Sequence, residues 1–367
     1  MCCFPQHIPQ HSTKVSGPEK VFLREVSTIQ IPSLPAGSIS MPVFCEEDGG
    51  LLFRLVLLAP GVMDPVDDPV YVSSDGKTVI QFSRSKINDI TDPTLVSAFV
   101  RGGDVYILTI GHVPLGYENK WRTAKGEVIG KPAVDISAFV AHFKRDGNYA
   151  GAVPLDLQLD KFRPLQLGVF DGGQFLIAGA DPHTYEPHLA IVGSDGQLLR
   201  SIELKGDVHE APESEASGGK TDPTAFPRRV PRGSHERSLT EIVGTSEITP
   251  DGPNLLLFRK TNGPIFSVSP SGEVRLHKLK VDGNHELFTV IANRNLWVAE
   301  LLHDIPQGEA FSTYAFDPES GIPLREYLFP KDFGWGLACT DGDQFTFINA
   351  DYEKRTLSLV KLATKAE

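Results

Sequence analysis

A chain of 367 residues, 40% hydrophobic and 22% charged, has the make-up of a soluble globular protein with room for a large core. Its formal net charge of −12 repels phosphate backbones and anionic surfaces, which argues against broad nucleic-acid binding, and no apolar run is long enough to span a bilayer. Thirty-four Gly and 28 Pro call for many turns rather than long helices, and the four Cys are too few for a disulfide scaffold.

In chain order, the N-terminus MCCFPQHIPQHSTKVSGPEK places Pro and Gln where a signal peptide needs an apolar stretch. Residues 1–18 are expected to be a disordered segment. The chain as written reads as cytoplasmic, and as secreted or periplasmic if the true start lies upstream. A strand is predicted for KVFLREVSTIQI, residues 20–31.

A pattern then begins that recurs to the end. A short apolar run meets a tight turn and a longer apolar run follows. The turns are Asp48-Gly49, Gly102-Gly103, Asp171-Gly172, Asp251-Gly252, a degenerate Asn293-Arg294, and Asp341-Gly342. A second kind of turn recurs at Asp75-Gly76, Asp146-Gly147, Asp195-Gly196, Ser271-Gly272 and Ser320-Gly321. Asp-Gly and Asn-Gly pairs supply the positive φ of hairpin turns, and the period-two alternation between them marks strands. The stretch from Ser246 to Val281 shows a whole unit of four strands and three turns. The repeat is about 59 residues, a scale at which antiparallel meanders stack radially into a β-propeller.

The first turn occurs six times and the second five. The last unit, WGLACTDGDQFTFINADYEKRTLSLVKLA, therefore lacks an outer strand, and residues 20–31 are the spare one. The expectation is an all-β, six-bladed propeller closed by pairing of the N-terminal strand with the last blade. It forms a single domain over 19–367, with a flexible insertion at about 205–238 rich in Pro, Gly, Ser and charge. The competing architecture is a two-domain mixed α/β; its best support is DISAFVAHFKRD, from Asp135 to Asp146, which the propeller makes partly strand.

The runs ISMPVFCEEDGGLLFRL, VSSDGKTVIQF and IVGSDGQLLRSIEL resemble blades of bacterial six-bladed propellers of the NHL-like kind. The likeness covers nearly the whole chain, except the first 18 residues and the segment from Lys205 to Ser238. It implies the fold. Members of such families bind proteins, sugars, peptides or RNA, or hydrolyse lactones, and the fold does not choose among these.

Strand order places both kinds of tight turn on one face. The long connections fall on the other: Leu58–Val70, Gly111–Ser137, Gly179–His188, Lys205–Glu241 and Leu302–Ala310. Binding is expected on this loop-rich face, of an unknown small molecule or protein, by a monomer and with no cofactor. Residues just before the first strands would ring the channel mouth. These are Arg163, His285, Glu286, Asp332 and Trp335, a basic, acidic and aromatic set suited to a small polar ligand. The blander reading packs Trp335 between blades and leaves the charges solvated. His112, Tyr117, His183, Tyr185 and His303 stand on the surrounding loops.

Other clusters read as ordinary surface. Asp181, His183, Glu186 and His188 in ADPHTYEPH suit Zn or Ni by donor type, and Asp64, Asp67 and Asp68 in MDPVDDP suit Ca²⁺. A Pro-shaped surface loop and a solvated acidic turn account for them as well. Cys45 and Cys339 fall in the first strands of neighbouring blades, three and two residues before their Asp-Gly turns. That offset puts them on opposite strand faces unless a bulge intervenes, so buried free thiols are expected. Nucleophile elbow, zinc-protease, P-loop and dinucleotide motifs are absent. The reading is of a non-catalytic scaffold. The alternative is a metal-dependent hydrolase of the lactonase or gluconolactonase type, for which Glu46, Asn284 and Asp332 are the nominees.

Overall fold

A computed structural model describes residues 17–32, 34, 38–46, 49–57, 66–112, 136–159, 161–181, 187–203, 246–259, 265–281, 285–305, 308–330, 336–351 and 356–364. The expectations for residues 1–16 and for the insertion at 205–238 lie outside these. No helix among the described residues is long and apolar enough to cross a membrane.

Four sheets are antiparallel meanders of consecutive strands. The first holds β2 (Ser38–Cys45), β3 (Leu51–Leu57), β4 (Val66–Val72) and β5 (Val79–Gln81). The second holds β6 (Thr91–Arg101), β7 (Asp104–His112), β8 (Ile136–Phe143) and β9 (Tyr149–Pro154). The third holds β10 (Arg163–Val169), β11 (Phe175–Ala180), β12 (Pro187–Val192) and β13 (Leu198–Glu203). The fourth holds β14 (Ser246–Asp251), β15 (Asn254–Arg259), β16 (Ile265–Val268) and β17 (Val274–His277). The stretch that gave the mixed α/β architecture its best support forms β8, whose residues pair with β7 and β9.

The remaining strands are β1 (Glu19–Ile31), β18 (His285–Asn293), β19 (Leu296–Ile305), β20 (Gly308–Phe316), β21 (Pro323–Leu328), β22 (Gly336–Asp341), β23 (Gln344–Asp351) and β24 (Thr356–Thr364). They form one sheet in the order β18-β19-β20-β21-β1-β24-β23-β22. β1 runs antiparallel to β24, from Leu23 opposite Thr364 to Ile31 opposite Leu357. Its first residues also pair parallel with β21, from Glu19 opposite Arg325 to Phe22 opposite Leu328. The strand thus meets the last meander as its sequence predicts, and joins it to the preceding one as well.

The sheets have a propeller arrangement. β6 lies against β10, β10 against β14, β14 against β18, β18 against β22 and β22 against β2. Phe44 of β2 meets Phe99 of β6 edge-on at 4.9 Å between ring centroids, which closes the circuit. Inner strands are covered on both faces, so β11, FLIAGA, is buried along its whole length and reads as a continuous apolar run. The outer β17, VRLH, is buried nowhere along its length. Where β10 passes β14, a Cβ built on Gly168 would lie 2.8 Å from Ile248 Cγ2, so a larger residue there would have to push that side chain aside.

Two expectations need correcting. MDPVDDP is not wholly a solvated turn: Asp67 and Asp68 belong to β4, and Asp68 is buried. Its carboxylate accepts from Arg84 Nε at 3.2 Å and Gln81 Nε2 at 3.2 Å, which offsets its desolvation. Cys45 and Cys339 are not free thiols but a disulfide, with Cα atoms 5.1 Å apart. Counting back from the Asp-Gly pairs treats the two turns as alike, and they differ. Cys45 and Leu51 enclose a five-residue loop, whereas Asp341 and Gln344 enclose two residues.

Candidate functional site

The first strands all run the same way, so each has one end at the long connections and one at the tight turns. Five of the six are irregular in the middle. Register shifts fall at Ser40/Phe44 in β2, Leu95/Ser97 in β6, Pro164/Gln166 in β10, Leu287/Thr289 in β18 and Leu337/Cys339 in β22. A bulge unpairs backbone groups and re-aims side chains. Polar links between sheets gather at or beside these points. Ser97 Oγ donates to Gln166 Oε1 at 3.1 Å, Arg54 Nη1 to the Val96 carbonyl at 3.2 Å, and Thr249 Oγ1 to the Val290 carbonyl at 3.3 Å.

Glu300 supplies the most buried of these links. It lies on β19 between Thr289 and Thr313 and is 1% exposed. Its carboxyl oxygens accept from the Leu337 N–H at 3.3 and 3.4 Å, beside the bulge of β22. Burial pushes its pKa up to about 8, against the opposing pull of the Leu337 N–H. Glu300 is therefore a proton-bearing clamp between β19 and β22 at neutral pH. A lone acid inside the apolar run LWVAELL was the signal for it.

At the loop end, His285 and Glu286 open β18. His285 faces His303 of β19 in register, with ring centroids 6.0 Å apart, and Glu286 faces Leu302. The His303 ring is held below its ordinary pKa by burial and by the neighbouring His285. Its Nε2 is buried without a hydrogen-bond partner among the described residues. The His303 ring thereby offers a nitrogen that a ligand can satisfy. Arg163 opens β10 and is exposed, two first strands away across β14, so it is not brought onto the pair. His112 ends β7, far around the circuit, and His188 lies in β12 opposite Gly179. Asp332, Trp335, Asn284, Tyr117, His183, Tyr185, Glu186 and Asp64 lie outside the described residues.

The tight turns at the other end interlock. Arg101 at the tip of β6 donates through Nε to Asp171 Oδ1 at 2.6 Å and through Nη2 to the Gly252 carbonyl at 2.7 Å, linking three sheets. Trp297 Nε1 donates to Asp251 Oδ2 at 3.4 Å, and burial raises the Asp251 pKa. Asn293 Nδ2 donates to the Gly342 carbonyl at 3.0 Å. Arg294 takes the left-handed φ of 58° that glycine takes in the other copies of this turn. Between these turns opens a cavity of about 230 Å³, lined by Phe44, Glu46, Thr249, Ile291, Thr340 and Asp341 among others. Glu46 thus stands at the turn end of its strand. Among the described residues no group of three ligating side chains is poised for a metal.

No family model matches the chain, and no curated protein is significantly similar to it. Solved structures with a comparable course include virginiamycin B lyase from Staphylococcus aureus, 10% identical over 94% of this chain and 100% of that one, with a TM-score of 0.40. A Bacillus halodurans xylan β-1,4-xylosidase is 12% identical over 86% of this chain and 61% of that one, at 0.39. A Trypanosoma rangeli sialidase is 13% identical over 89% and 53%, at 0.40. Likenesses this distant carry no activity over to the chain. The class that the sheets themselves define is a β-propeller.

Proposed function

We propose that the protein is a six-bladed propeller of the NHL-like kind, whose eight-stranded sheet is two blades sharing β1. It binds a small polar ligand or a protein segment, without catalysis, at the loop end of its first strands. The observation that supports this reading is the cross-strand pair His285 and His303, beside Glu286, in which the buried His303 Nε2 has no hydrogen-bond partner among the described residues. Such a pair on a rigid strand hairpin is a preorganised polar contact. The Cys45–Cys339 disulfide favours an oxidising compartment over the cytoplasm.

The test is a binding screen of sugars, amino acids and short peptides by calorimetry, with His285→Ala and His303→Ala alongside. A ligand whose affinity falls at least about 10-fold in both variants, a change of about 1.4 kcal/mol, fits the reading. A ligand indifferent to both places the site elsewhere. Turnover of lactones abolished by Glu46→Gln would restore the hydrolase alternative.

A further inference from the structure

The Cys45–Cys339 bridge is independent of that reading and lies towards the turn end of the first strands. It ties β2 to β22, which belong to different sheets and share no backbone ladder. Breaking it therefore leaves every strand pairing in place. The two cysteines differ in access. Cys339 is 2% exposed and sits inside an apolar cluster with Ala338, Ile348 and Leu357. Cys45 is half-buried, packs against the side of that cluster and lines the turn-end cavity of about 230 Å³. Asp341 is exposed at the same cavity, and no Lys or Arg is among the described residues that line it.

We propose that Cys45 is a thiol-exchange site, modified from the cavity by a small thiol that carries an ammonium group. The thiolate sulfur of that molecule attacks Cys45 Sγ. The bond to Cys339 breaks as the new S–S bond forms, and Cys339 leaves as a thiolate that takes up a proton. A second molecule of the thiol then attacks the sulfur of the first. This frees Cys45 and yields the small disulfide, so two thiols are oxidised as one bridge is reduced. Access selects the sulfur that is attacked, which favours Cys45 over the buried Cys339. Asp341 and the net charge of −12 repel an anionic thiol and draw in one with an ammonium. The space is smaller than the roughly 300–1,000 Å³ of drug-sized sites, so the molecule is short.

The test uses the full chain, folded and unreduced, with Cys2→Ser and Cys3→Ser to remove the other thiols. It is treated with cysteamine, 2-mercaptoethanol or mercaptoacetate, which are similar in size and carry an ammonium, a hydroxyl and a carboxylate. After an acid quench the product is alkylated in denaturant and its peptides are mapped by mass spectrometry. The small thiol should be found on Cys45 and the alkyl group on Cys339, with circular dichroism unchanged by the reaction. Each rate is divided by that of the same thiolate with a small neutral disulfide. At low ionic strength cysteamine should then react at least about 5-fold faster than mercaptoacetate, and the gap should shrink in salt of about 1 M, where charges are screened within about 3 Å. Asp341→Asn should narrow the gap as well. Adducts on Cys339, exchange seen only in denaturant, equal rates for the three thiols, or free Cys45 and Cys339 before treatment would each overturn the proposal.

Discussion

The fourth sheet and the eight-stranded sheet are made from the same meander and finished differently. β14 to β17 come from one continuous piece of chain, each strand pairs with its neighbour in sequence, and the outer edge is left partly open. The eight-stranded sheet needs strands from both parts of the chain. β1 is inserted between β21 and β24, and the adjoining seam carries the Cys45–Cys339 bridge. Local pairing makes a blade; closing the circuit takes long-range links. The difference should therefore show in stability, with variants of the joined sheet costing more than variants of links among the separate ones.

The largest effect is expected from removing β1. Leu23 and Ile31 are 6% and 1% exposed, and each fully buried large side chain is worth about 1.5–3 kcal/mol. With the backbone partners of β24 lost as well, deletion through Ile31 should lower stability by at least about 5 kcal/mol in denaturant titration. Val26→Ala, at a position 59% exposed, should stay within about 0.5 kcal/mol. Equal midpoints for the deletion and the full chain would show that β1 is an accessory to closure.

Breaking the bridge comes next. Cys45→Ser, or reduction, should cost about 2–5 kcal/mol, since the bond joins residues 294 apart in sequence. A disulfide-linked peptide pair containing Cys45 and Cys339 should be recovered by mass spectrometry of unreduced protein. Finding both as free thiols would leave the seam to apolar packing alone.

Glu300 gives a pH signature. Its folded pKa of about 8 lies above the ordinary 4.5, so the folded state holds a proton that the unfolded state releases. This contribution is fully present below pH 4.5 and is lost as pH rises towards 8. Glu300→Gln keeps an acceptor for the Leu337 N–H and removes the titration. The variant should therefore gain on the wild type across that window, by a few kcal/mol at most. Parallel pH–stability curves would mean that Glu300 is ionised in the folded protein.

The smallest effect is expected among the separate sheets. Arg101→Ala removes one ion pair to the exposed Asp171 and one bond to the Gly252 carbonyl, together about 1 kcal/mol. A loss as large as that of the bridge would erase the distinction between local sheets and closure.

What the sequence made legible follows the physics of short range. Asp251-Gly252 and Asp341-Gly342 announce their turns, because a left-handed φ is cheap for glycine. Even the degenerate Asn293-Arg294 turn could be placed by its neighbours. The surplus strand at residues 20–31 could be assigned by counting, and it pairs with β24 as counted. Its parallel contact with β21 could not, since nothing in Glu19–Phe22 marks a second partner. The candidate site was legible only in part. His285, Glu286 and His303 fall at one entrance because strand direction puts them there, but their ring-to-ring pairing depends on register across a bulged hairpin. Bulges and unequal turns leave no mark in a hydrophobic pattern, which is why the cysteine pair and the cavity around Thr340 were missed.

The insertion of β1 also sets an order of events during synthesis. Residues such as Leu23 emerge from the ribosome long before Thr364, their eventual neighbour. At bacterial or eukaryotic elongation rates of about 5–20 residues per second, the early strand waits tens of seconds without its mate. Only Leu23 and Ile31 of the strand are buried, and Arg24, Glu25 and Gln30 are among its exposed residues, which suits that wait. Charge along an unpaired strand discourages adhesion to other nascent chains until the final blade arrives.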